Sequence, residues 1–183
     1  MFAYQNVFDP VYFLLFTAVL IVLHEWFRFK GSLSRRVLSI LSAWVLAYLT
    51  YKMYFVLGFD QQWIEDMFAV AGILVAGVFC SIIWSKYRWG NLLPLAIMVA
   101  FYLSAIYLAI SKFWNISGHV VYTTAPVTFL TFAIDKRYVL LYAIPLIMVV
   151  NRPIVGAHTW SQSICGFILG FLVTLLVIQG RQK

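Results

Sequence analysis

The chain has 183 residues, of which 64% are hydrophobic and 10% charged, with a formal net charge of +7. A soluble domain carries roughly 25% charged residues, so too few charges are present to cover a water-facing surface. The two cysteines, Cys80 and Cys165, sit inside apolar runs and read as packing residues, so they say little about redox compartment.

About 20 apolar residues are needed for a helix to cross a bilayer. Taken in chain order, the apolar runs predict spans at 10–27, 37–58, 67–84, 92–111, 119–134, 138–155 and 158–179. The first run does not read as a cleavable signal peptide, because Asp9 stands where a basic start is expected and no small-residue cleavage site follows. The fifth and sixth spans are short or interrupted, with Pro126 in one and Pro145 in the other. The expected fold is therefore all-α: a polytopic membrane helix bundle of about seven spans, forming a single transmembrane domain over 1–183.

Seven spans place alternate loops on opposite sides. One side gathers Arg28, Lys30, Arg35, Arg36, Lys86, Arg88, Lys136, Arg137, Arg181 and Lys183, ten of the 13 basic residues. The other holds Lys112 and Arg152 with Asp9, Asp60, Glu65 and Asp66, while Lys52 lies within the second span. Basic loops stay cytoplasmic, so the N-terminus is expected outside the cytoplasm and the C-terminus within it. The positive charge is then a topology signal facing anionic lipid, and no nucleic-acid partner is expected.

Two segments on the extracytoplasmic side carry chemistry. Trp114-Asn115-Ile116-Ser117-Gly118-His119 opens the fifth span, and the run from Asn151-Arg152 to His158 and Gln162 opens the seventh. Each sets a histidine at a helix N-terminus, where unpaired N–H groups and a partial positive charge suit a phosphate. Arg152 adds a fork of donors matched to phosphate oxygens, and Gly118 lets backbone amides approach closely. Two histidines can divide phosphoryl transfer, one attacking phosphorus and the other protonating the leaving oxygen.

Ser117-Gly118-His119 and Arg152-x5-His158 resemble motifs of the type 2 phosphatidic acid phosphatase (PAP2) superfamily, whose pattern is Lys-x6-Arg-Pro, Pro-Ser-Gly-His and Ser-Arg-x5-His-x3-Asp. The resemblance covers roughly residues 112–170 and implies a six-helix core over 37–183, with 1–36 an added N-terminal helix and cytoplasmic loop. It implies that His158 is the nucleophile, forming a phosphohistidine, and that His119 is the general acid and then the base. Arg152, Ser117 and the Gly118 amide would hold the phosphate. The implied substrate is a membrane lipid phosphate or diphosphate, reached from the bilayer, with no cofactor and no metal.

The chain departs from the family pattern at three places. Gln162 stands where the family has the Asp that orients the nucleophile. Ile116 replaces Pro before Ser-Gly-His. Lys86 and Pro94 have the spacing of the first motif, but Leu93 replaces its Arg, and both lie on the cytoplasmic side. Lys112 is the better counterpart, and Lys52 is a second candidate cation for the phosphate. The missing Arg-Pro is shared with sphingomyelin synthases and fat-storage-inducing transmembrane proteins, and the aromatic-Asn-Ile-Ser-Gly-His segment resembles the latter.

The alternative reading is a catalytically weak or inactive PAP2-like protein that binds lipid or acts as a scaffold. A transporter or channel is disfavoured, because most spans carry no polar midplane residue and no inverted repeat is visible. His24-Glu25 begins like a zinc motif, but Arg28 stands where its second His belongs. Asp60, Glu65 and Asp66 read as a solvated loop.

Overall fold

From Pro10 onward the computed structural model, which describes residues 4, 7–29 and 31–181, is a succession of helices. They are α1 (Pro10–Phe29), α2 (Leu33–Val56), α3 (Gln62–Tyr87), α4 (Leu92–Ser111), α5 (Gly118–Phe129), α6 (Ala143–Ile154) and α7 (Trp160–Gly180). Six helical stretches among the described residues are long and apolar enough to cross a membrane, and the shorter apolar Gly118–Ile134 makes a seventh helix. The protein is an all-α, membrane-embedded polytopic helix bundle. Lys30 and Lys183, two of the basic residues of the charge asymmetry, lie outside the described residues.

Asp9 and Pro10 start α1 in the way their chemistry favours. The Asp9 carboxylate accepts the Val11 amide at 2.9 Å, and Pro10 takes the first helical position, where its missing N–H removes no bond. The sixth span differs from its expected form. In place of one helix over 138–155, Lys136–Tyr142 is a 3₁₀ helix capped by the Asp135 side chain, and the α-helix begins at Ala143. Pro145 falls in the first turn of α6, where proline is tolerated.

The chain groups into two compact units, residues 18–104 and residues 1–17 with 105–183. In the 18–104 unit, α2 and α3 touch backbone to backbone: a Cβ on Gly72 would lie 2.6 Å from the Ala47 carbonyl oxygen. The buried Glu25 carboxylate accepts the Trp84 indole N–H and the Leu92 amide, each at 2.7 Å. Arg36 donates to the Trp89 carbonyl at 2.9 Å, and its guanidinium lies over the Trp89 ring. Burying a carboxylate without such partners would be costly, so this cluster clamps the ends of α1 to α4 together.

In the second unit α5 is the central helix, with every residue from Val120 to Thr131 buried. Its threonines are accommodated there because Thr123, Thr124, Thr128 and Thr131 donate to carbonyls one turn back, at 2.7–2.9 Å. A π-helical turn over Leu130–Ile134 ends the helix, closed by the Asp135 amide on the Leu130 carbonyl. Against this helix α7 presents Gly166 and Gly170. A Cβ on Gly166 would stand 3.0 Å from the Ser117 oxygen, and one on Gly170 would stand 2.7 Å from the Val121 oxygen. Small residues four apart let two membrane helices approach this closely, and here they draw the starts of α5 and α7 together.

Candidate active site

The spacing between Arg152 and His158 has a local structural cause. Helix α6 ends in a Schellman turn: Gly156 adopts φ +73, its amide bonds the Pro153 carbonyl at 3.0 Å, and the Ala157 amide bonds the Arg152 carbonyl at 3.1 Å. The His158 amide reaches the same Arg152 carbonyl at 3.4 Å. The turn therefore folds His158 back over the residue that carries the guanidinium. His158 lies in the loop ahead of α7, which begins at Trp160 and not at 158.

The His158 ring is anchored. Its Nδ1 lies 3.1 Å from the backbone carbonyl of Asn115. A carbonyl oxygen only accepts, so Nδ1 carries the proton and, in the neutral ring, Nε2 keeps its lone pair. Burial and the Arg152 charge hold the His158 imidazole below its ordinary range, with the Asn115 carbonyl and the Gln162 side chain acting in the opposite direction.

His119 is the second residue of α5. Its Nε2 lies 3.8 Å from the Asp9 carboxylate, and Arg152 and His158 are both within electrostatic reach of it. Asp9 also attracts Arg152, which is 8% exposed. Ser117 is the N-cap of α5, and the Tyr107 hydroxyl crowds the Cβ position of Gly118 at 2.8 Å, so a larger residue there would have to displace the Tyr107 side chain. Ser117 donates its amide to the Gln162 backbone carbonyl at 3.3 Å, tying the two helix starts together.

Gln162 forms a capping box with Thr159: its side-chain oxygen accepts the Thr159 amide at 2.8 Å, and the Thr159 hydroxyl accepts the Gln162 amide at 3.3 Å. Three further polar side chains of these segments are buried with atoms that have no hydrogen-bond partner among the described residues: Ser117 Oγ, both amide atoms of Asn151, and Ser163 Oγ. Buried polar atoms are normally satisfied, so these are departures from the usual pattern.

His119, His158, Arg152, Ser117, Gly118 and Gln162 thus come together in one unit. Lys112 belongs to the same unit, with its ammonium over the Phe113 ring at 5.6 Å. Lys52 belongs to the 18–104 unit, where its ammonium lies over Tyr48 and Phe55 at 5.3 and 5.1 Å, and the Lys86 ammonium lies over Tyr87. Glu65 accepts the Tyr51 hydroxyl at 2.6 Å. Two participants escaped the sequence reading. Asn115 acts through its backbone carbonyl, which no side-chain pattern reveals. Asp9 sits before Pro10 at the head of an apolar run, a helix-start signal with nothing to connect it to His119.

Comparison with known protein families matches the PAP2 superfamily model to residues 65–183, well over half of the chain. No curated protein and no solved structure matches the chain.

Proposed function

The chain belongs to the PAP2 superfamily, and from that premise we propose that it is a membrane lipid phosphatase or phosphotransferase acting on a lipid phosphate or diphosphate. The observation that carries the reading is the His158 ring, whose Nδ1–H donates to the Asn115 carbonyl. Its Nε2 is left as a nucleophile, with Arg152 and His119 in electrostatic reach.

In the proposed reaction the Nε2 lone pair attacks the terminal phosphorus, and its bond breaks to the lipid oxygen of a monophosphate or to the bridging oxygen of a diphosphate. That oxygen leaves with the electron pair and takes a proton from His119. An incoming water or alcohol then gives a proton back to His119 as its oxygen attacks the phosphohistidine, and the P–N bond breaks. Arg152, Ser117 and the Gly118 amide hold the equatorial oxygens, where charge is greatest in the transition state. Lys112, in the same unit, is the candidate additional cation. Gln162 supports His158 through the cap that fixes the start of α7.

The loop charges support a site on the extracytoplasmic face, where lipid headgroups lie, with the N-terminus on that side and the C-terminus in the cytoplasm. A lipid-binding or scaffold role is the second reading, favoured by Gln162, a neutral residue at the carboxylate position.

The test is phosphate release from short-chain phosphatidic acid and a panel of lipid phosphates and diphosphates, with metal chelated. Wild-type protein should turn over and be inhibited by vanadate, and His158→Ala should be inert. A folded wild type that is inert on the whole panel would establish the binding role instead.

A further inference from the structure

Asp9 lies outside the residues matched by the family model, on the N-terminal helix. Its two carboxylate oxygens do different things. Oδ1 accepts the Val11 amide and caps α1, while Oδ2 faces His119 Nε2 at 3.8 Å. That separation exceeds hydrogen-bond range, so the carboxylate does not capture the ring proton. The other groups facing His119 are Arg152 from α6 and His158 from the loop before α7, with the Tyr107 hydroxyl over the adjoining Gly118. Arg152, and His158 when protonated, carry positive charge. Asp9 is a carboxylate set against them.

Resting on the phosphatase reading above, we infer that Asp9 is a positioning residue for the reaction: the counter-ion that keeps His119 protonated for delivery to the leaving oxygen. A general acid must hold its proton until the ester bond breaks. In this site the Arg152 charge, needed for phosphate binding, works against that. The family pattern puts its carboxylate four residues after the nucleophilic histidine, where this chain has Gln162. Here a carboxylate stands beside the other histidine, and an element outside the matched core supplies it.

Asp9→Asn separates the two roles, because Asn caps a helix as well as Asp does but carries no charge. The full chain in detergent micelles, with ¹³C-labelled histidine, is titrated by NMR. In parallel, kcat and KM on short-chain phosphatidic acid are measured across pH. In Asp9→Asn, His119 should titrate about one pH unit lower, the lower end of the effect of an opposite charge at this range. The alkaline limb of kcat should move the same distance towards acid, with KM not raised and thermal stability unchanged. Asp9→Glu should restore part of the shift.

Unchanged His119 titration in Asp9→Asn would overturn the inference. So would a variant with higher kcat and lower KM, which would make Asp9 a mere occupant of the anion position. If wild type turns over no lipid phosphate, the phosphatase reading fails, and the titration still decides whether Asp9 and His119 are paired.

Discussion

Gly170→Ala tests the idea that contact between α5 and α7 sets the geometry of the site. The added Cβ would lie 2.7 Å from the Val121 carbonyl oxygen and 3.0 Å from Thr124 Cβ, 0.7 and 0.4 Å inside the 3.4 Å at which ordinary contact begins. One obstacle is backbone and the other is a β-branched side chain in a buried helix turn, so neither yields by a rotamer change. The helices must part by several tenths of an ångström. Overpacking of this kind costs about 1–3 kcal/mol, partly offset by the better helix propensity of Ala. The same displacement separates Ser117 and His119 on α5 from the segment that carries His158. Misplacement of reacting groups by about 1 Å costs roughly 10²-fold in rate, so a loss of about tenfold in kcat is expected. Thermal unfolding in detergent and phosphate release from short-chain phosphatidic acid read the two effects. Gly180→Ala is the control, because nothing lies within 4 Å of its added Cβ. If Gly170→Ala melts and turns over like wild type, the close approach does not position the site.

Gly156→Ala meets no atom within 4 Å but must hold φ +73, so it should lose about 1–2 kcal/mol and, by loosening the turn that carries His158, lower kcat more than KM. The fall of His158 below its ordinary range keeps its ring neutral to lower pH, so the acid limb of kcat/KM should lie below the usual histidine value of about 6.5. Arg152→Gln removes one cause of that fall and should move the limb upward in a pH–rate profile. Gln162→Asp keeps an acceptor at the helix start, where negative charge is favoured, and adds a charge near the nucleophile. It should raise phosphate release, and a variant slower than wild type with an intact fold would count against Gln162 as the weak point of the site.

The helices were legible in the sequence because each apolar run is long and bounded by polar or turn residues. The fourth span, expected at 92–111, forms as Leu92–Ser111 between Asn91 and Lys112. The split of the sixth span was not legible, since hydropathy is blind to whether a turn is 3₁₀ or α. The choice came from Asp135 capping one stretch and from Pro145, which fits only the first turn of the other. The histidine and arginine segments were visible because residue type and spacing both carry the chemistry. Asn115 was not, because any residue presents the same backbone carbonyl. Asp9 was not, because its relation to His119 arises from tertiary packing across more than 100 residues of chain.

The anchoring of His158 bears on how a site with Gln162 in place of a carboxylate can still work. A carboxylate behind a catalytic imidazole does two things: it fixes the tautomer and it stabilises the ring when it becomes positive. The Asn115 carbonyl performs the first, since it can only accept the Nδ1 proton. It performs the second weakly, as a dipole without net charge. When Nε2 bonds to phosphorus, the ring turns cationic, and that charge must be met by the phosphoryl oxygens themselves. The nearby Arg152, which depresses His158, makes the same demand sharper. In the proposed mechanism, losing the carboxylate therefore raises the barrier to the phosphohistidine without misdirecting the attacking nitrogen. In a serine-protease triad, an Asp-to-Asn change that also fixes the wrong tautomer costs about 10⁴ in kcat. With the tautomer secured by Asn115, the loss expected here is smaller. On the proposed reading, that division of labour predicts slow phosphoryl transfer that restoring charge at position 162 would improve.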